Sequence, residues 1–145
     1  MKNFSNIKIL ALILAYSSFA MADHHASPEH DSQTKYVTHS QLGNPADVLE
    51  VKTEASRALN SGEVRVKVLA APINPSDLLQ ISGNYGVDPV LPARPGSEGV
   101  GRVTEVSPEA KNLKVGQLVL LASGSTWAEE IVAPAEGFLP LPNLG

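Results

Sequence analysis

The amino-acid sequence predicts a mainly β domain, a compact barrel or two-sheet body with little helix. Three observations support this. Short runs rich in β-branched and aromatic residues recur from Tyr36 to Val132, each closed by turn-forming residues. Eleven glycines and 11 prolines in 145 residues suit many tight connections. In Val64-Arg65-Val66-Lys67-Val68 the valines fall on one side and the cations on the other, the period of a half-buried strand. With 43% hydrophobic and 18% charged residues the chain has the balance of one globular domain, and it shows no internal repeat or heptad.

Taken from the start, residues 1–22 have the layout of a secretory signal peptide: Lys2 and Lys8 in a polar opening, an apolar run from Ile9 to Tyr16, and Ala20-Met21-Ala22 at the end. The apolar run is shorter than the roughly 20 residues a bilayer span needs, so the mature chain is expected to be exported, periplasmic or secreted, with no membrane span. Residues 23–34 are polar, hold three of the four histidines and lack an apolar period, which predicts a flexible leader. The folded domain is expected from Lys35 to Gly145. Its strands are placed at Tyr36 to Ser40, Val48 to Thr53, Val64 to Ala70, Val100 to Val106, Leu118 to Ala122 and Trp127 to Val132. One helical turn is placed at Ser76 to Ile81, with Pro75 near its start and Gly83 just past its end.

Composition excludes several functions. A formal charge of −4, or −6 once Lys2 and Lys8 are removed, argues against a nucleic-acid partner, which needs a basic face. The absence of cysteine rules out disulfides, thiolate zinc ligands and a thiol nucleophile. Cleavage after Ala22 would expose Asp23-His24-His25, whose free amine, two backbone amides and His25 ring suit square-planar Cu(II) or Ni(II). The alternative for this stretch is a solvated spacer.

Three linked motifs carry the chemistry: Ala71-Pro72-Ile73-Asn74-Pro75-Ser76-Asp77, Gly83-Asn84-Tyr85-Gly86 and Pro95-Gly96-Ser97-Glu98-Gly99. In order and spacing they resemble the N-terminal, GroES-like catalytic domain of the medium-chain dehydrogenase/reductases. The nearest likeness is to zinc-independent 2-enoyl thioester reductases and, slightly further off, quinone oxidoreductases. The resemblance spans Lys35 to Pro142. It implies a partly open, GroES-like β-barrel with short helices, and NADPH-dependent reduction of an enoyl thioester or a quinone, with hydride going to the β-carbon and a proton to the α-carbon.

On the same resemblance Tyr85 is the proton donor, a role a phenol can fill because it stays neutral below about pH 10. Asn74 would sit beside the nicotinamide ribose or the substrate carbonyl, since an amide both donates and accepts. Plainer readings stand beside these: Tyr85 as a ring capping the domain, Asn74 as an Asn-Pro turn former. Asp77 is expected to cap the short helix, and Glu98 to fix its loop through backbone N–H bonds. Zinc-dependent relatives carry cysteine and histidine at the positions of Asn74 and Ser97, so a catalytic zinc is not expected.

Gly96, Gly99 and Gly101 lack the spacing and following helix of a dinucleotide fingerprint, and fewer than 30 residues follow Val119. The Rossmann domain is therefore expected to be absent, and NADPH not to bind this chain tightly by itself. The expectation is a reductase half needing a nucleotide-binding polypeptide as partner. The alternative is an exported, non-enzymatic binding barrel or a truncated remnant.

Overall fold

Residues 32–122 and 124–142 are described by the computed structural model. The expected signal peptide, most of the leader and the Asp23-His24-His25 set lie outside these residues.

The elements run β1 (Gln33–Thr38), α1 (Pro45–Val48), β2 (Glu50–Ala55), β3 (Glu63–Ala70), α2 (Pro75–Ile81), β4 (Gly99–Val106), β5 (Leu118–Leu121), β6 (Glu130–Pro134), a 3-10 turn and β7 (Phe138–Pro140). β1 and β2 form an antiparallel pair, and the other strands form one antiparallel sheet in the order β6-β3-β4-β5-β7. The two sheets join where Val37 N donates to Trp127 O at 2.8 Å and Glu129 N donates to Lys35 O at 2.9 Å. The result is a mainly β, curled half-barrel with short helices, as expected.

The alternation of the strands places the core. Val64 and Val66 of β3, Val103 of β4, Val119 and Leu121 of β5 and Phe138 of β7 are all buried, with Ala110 and Leu113 closing one side. Each such side chain contributes about 1.5–3 kcal/mol by leaving water. β3 and β4 approach so closely at Gly101 that a Cβ there would lie 2.3 Å from Val66 Cγ1. Gly99 and Gly101 thus serve strand packing and open no helix, in line with the rejection of a dinucleotide fingerprint.

Several local expectations shift. β1 opens at Gln33, two residues before the expected Lys35. The segment from Trp127 pairs with β1 at the isolated bridge Tyr36–Ala128, with Lys35 N also donating to the Glu129 carboxylate at 3.0 Å, and β6 proper begins at Glu130. α1 and β7 were not expected. Arg65, placed on the solvent side by the alternation, is 2% exposed. Its guanidinium donates to Glu105 at 2.8 Å and also to Glu130, Ser56 Oγ and Arg57 O. A buried cation is tolerable only when its donors are satisfied in this way.

Candidate functional site

α2 positions the first motif. Pro75 has no N–H to lose and suits the first turn, while Asn74 takes the extended conformation of an N-cap. The Asp77 carboxylate, 3% exposed, accepts the Asn74 backbone N–H at 2.9 Å, so Asp77 is a capping residue as expected. Gly83, at φ +76°, lets the chain leave the helix.

Asn74 and the Ser97-Glu98 turn meet in space. Asn74 Nδ2 donates to Glu98 Oε1 at 2.9 Å and to Ser97 Oγ at 3.3 Å. Glu98 was expected to gather backbone N–H groups; its carboxylate instead holds the Asn74 side chain, and its carbonyl accepts Thr126 Oγ1 at 2.8 Å. Gly96 makes the turn possible. Its φ is +98°, and a Cβ would fall 2.5 Å from Thr126 Oγ1 and 2.8 Å from Trp127 N. Ser97 also lines a depression of about 430 Å³ with Gln80, Pro95 and Ala122.

Tyr85 lies past the other end of α2, a helix about 10 Å long at 1.5 Å per residue. The ring is 55% exposed, and its hydroxyl makes no hydrogen bond among the described residues. Tyr85 and Asn74 thus lie beyond opposite ends of α2, with no hydrogen bond between them.

A second hollow, open and mostly apolar, begins beside Asn74. It has a volume of about 590 Å³ and is lined by Val37, Val51, Leu69, Ile73 and Trp127 among others. Ile73 and Val51 are 68% and 70% exposed, and Trp127 Nε1 is tied to Pro72 O at 3.0 Å. Sequence reasoning missed this groove, because exposed valines and leucines in a strand-rich chain read as core.

The arginines are committed within the chain. Arg57 pairs with Glu63 at 2.6 Å, Arg65 with Glu105 and Glu130, and Arg94 with Glu54 at 2.6 Å, while Arg102 donates to Gly116 O. Arg94 also stacks 3.5 Å over the Tyr36 ring, a contact no motif announced. Its hydrogen bonds hold the Glu54 carboxyl below the usual carboxylate range. The Arg57 guanidinium and the Asn60 N–H lower Glu63 to about 2. Among the described residues no group of three or more His, Asp or Glu side chains is arranged to hold a metal. No described helix is long and apolar enough to cross a membrane.

Residues 60–143 match the alcohol dehydrogenase GroES-like domain. The chain belongs to that family. Within the medium-chain dehydrogenase/reductases it falls on the enoyl and quinone reductase branch. It is 40% identical over 131 residues to the mitochondrial enoyl-[acyl-carrier-protein] reductase of Rattus norvegicus, covering 89% of this chain and 33% of that protein. The corresponding Homo sapiens protein is 40% identical over 126 residues, covering 86% of this chain and 34% of its own. Among solved structures, a putative NADPH:quinone reductase from Bacillus thuringiensis is 37% identical with a TM-score of 0.70, over 77% of this chain and 34% of that one. An Etr1p/NADP/crotonyl-CoA complex is 32% identical with a TM-score of 0.71 over the same shares. The GroES-like chain thus spans about a third of the length of the relatives it matches.

Proposed function

We propose that this GroES-like chain is the substrate and proton-donor half of an NADPH-dependent enoyl thioester reductase. The observation that carries the reading is the Asn74–Ser97–Glu98 cluster at the head of α2, with the free phenol of Tyr85 beyond its end, in a chain 40% identical to enoyl reductases. A solved relative named for NADP and crotonyl-CoA supports this pair of ligands, and one named a quinone reductase makes a quinone the second substrate class.

NADPH, when bound, supplies the hydride that reduces the β-carbon. Tyr85 is assigned the proton: its exposed hydroxyl makes no hydrogen bond among the described residues, so it is available to protonate the α-carbon as charge builds there. Each arginine is already bonded within the chain, so no arginine fork stands ready for the phosphates. At the Asn74 cluster the donors are an amide, a hydroxyl and one carboxylate. This set lacks the thiolate and imidazole that favour zinc, which supports metal-free chemistry.

The remaining donors are assigned to a nucleotide-binding polypeptide, joined to this chain or separate. The greater length of the relatives and the uncovered apolar groove both support such a partner. The test is reduction of a crotonyl thioester by the chain together with a nucleotide-binding polypeptide. Tyr85→Phe is expected to lower turnover by about 10²–10⁴-fold with NADPH affinity unchanged. Full turnover in that variant would remove Tyr85 as the proton donor.

A further inference from the structure

β2 is an open sheet edge. Among the described residues it pairs with β1 alone, in a register without a bulge. The hydrogen bonds around β1 fix which β2 groups face outward. Val37 N donates to Trp127 O and Lys35 O accepts from Glu129 N, so the odd-numbered residues of β1 turn their backbone away from β2. Backbone direction alternates along a strand, so Thr34, Tyr36 and Thr38 bond Glu54, Lys52 and Glu50, a phase that the bond from Ser56 N to Ser32 O continues. Val51, Thr53 and Ala55, all exposed, therefore aim both N–H and C=O away from the sheet, with no backbone partner among the described residues. Such an edge is a template for a further strand, and β2 has neither a proline nor a bulge to prevent it.

We propose that β2 pairs antiparallel with β2 of a second copy of this chain, about a two-fold axis at Thr53. The order of charges selects both the partner and the register. Glu50, Lys52 and Glu54 alternate onto one face, where Lys52 Nζ lies 3.3 Å from the Glu50 carboxylate. A two-fold ladder must set outward residues opposite outward residues. Centred on Lys52 or on Glu54, it would bring like charges together. Centred on Val51, it would set Glu50 opposite Lys52 but would need the N–H of Leu49, which already donates to Pro45 O at 3.2 Å. Centred on Thr53, it sets Lys52 of each copy opposite Glu54 of the other and Val51 opposite Ala55, and it gives every outward N–H a carbonyl. Glu54 can keep its two bonds from Arg94 while it meets Lys52 of the other copy, because each carboxylate oxygen has two lone pairs. One added strand pair buries less than a permanent interface does, so the dimer forms with rising concentration.

The test is amide hydrogen exchange by NMR on the full chain from micromolar to millimolar concentration, with the mass followed by sedimentation equilibrium. The mass is expected to rise toward that of a dimer as exchange slows at Val51, Thr53 and Ala55, while Lys52 and Glu54, bonded to β1, stay protected throughout. Thr53→Pro removes the central donor at a position where the monomer needs no N–H, and is expected to weaken association by about tenfold or more. Lys52→Glu is expected to abolish self-association, and mixing it with Glu54→Lys to restore a dimer, since opposite charges then face each other at both positions. A chain that stays monomeric at millimolar concentration would overturn the proposal, as would a dimer in which the three amides exchange as fast as in dilute solution. Protection of those amides at every dilution would show the edge covered from within the chain, which also overturns it. Should a variant fail to fold, the concentration dependence of the wild-type amides still decides.

Discussion

Glu63 carries a pronounced electrostatic shift, its carboxyl lowered from 4.5 to about 2 by the Arg57 guanidinium and then by the Asn60 N–H. Because the folded value lies below that of a free carboxyl, the linkage stabilises the fold above pH 4.5 and is lost as the pH falls toward 2. Urea midpoints measured from pH 6 downward should show wild type ahead of Glu63→Gln, with the gap closing in acid; a gap independent of pH would show that the pair is not titrating. Arg65 makes a different prediction. Its guanidinium satisfies Glu105, Glu130, Ser56 and a carbonyl from a site closed to water, so Arg65→Ala should cost on the order of 3 kcal/mol in chemical denaturation, since the half-buried Glu130 loses its counter-charge. A loss under 1 kcal/mol, the range of an exposed pair, would count against that account. The sequence showed Asn74 and Glu98 as motif letters. It could not show that one holds the other, because 24 residues separate them and only the turn at Gly96 brings them together. Nor could alternation reveal Arg65 as buried, since that depends on acids from two neighbouring strands.

At the scale of elements, strand spacing sets the tightest constraint. Gly101 lets β4 lie against β3, where a Cβ would meet Val66 Cγ1 at 2.3 Å and Lys67 O at 2.9 Å. Gly101→Ala should therefore destabilise by about 1–3 kcal/mol through overpacking, as read from the urea midpoint. Gly137→Ala, where an added Cβ meets nothing within 4 Å, is the matched control and should stay within about 0.5 kcal/mol. The strands with a clear period of two were legible, β3 above all, as was α2 from Pro75 and Gly83. α1 was not: its four residues are too few to show a helical period, and Asn44-Pro45 reads equally well as a turn. β7 escaped because Phe138–Pro140 ends in proline, which a sheet accepts only where no ladder N–H is needed, and β7 sits at the sheet's edge.

At the scale of the molecule, the half-barrel leaves apolar surface in water on the flank next to its candidate site. β6 pairs with β3 only as far as Lys67, so Leu69 and Ala70 run on beyond their neighbour, with Ile73 and Val51 beside them. A contiguous patch of this kind marks an interaction surface more often than a free face, and the relatives carry about twice as much polypeptide again beyond the part matched here. The proposed nucleotide-binding partner is the occupant that accounts for both facts. The chain should therefore bind the apolar dye 8-anilinonaphthalene-1-sulfonate while fully folded, and the double variant Leu69→Glu, Ile73→Glu should lose most of that signal with its far-UV circular dichroism unchanged. Addition of the unmatched two thirds of the rat enoyl reductase should displace the dye from wild type. Dye bound equally by the double variant would place the sticky surface elsewhere. Dye lost on mutation yet never displaced by the added polypeptide would leave the groove intact and count against a nucleotide-binding partner as its occupant.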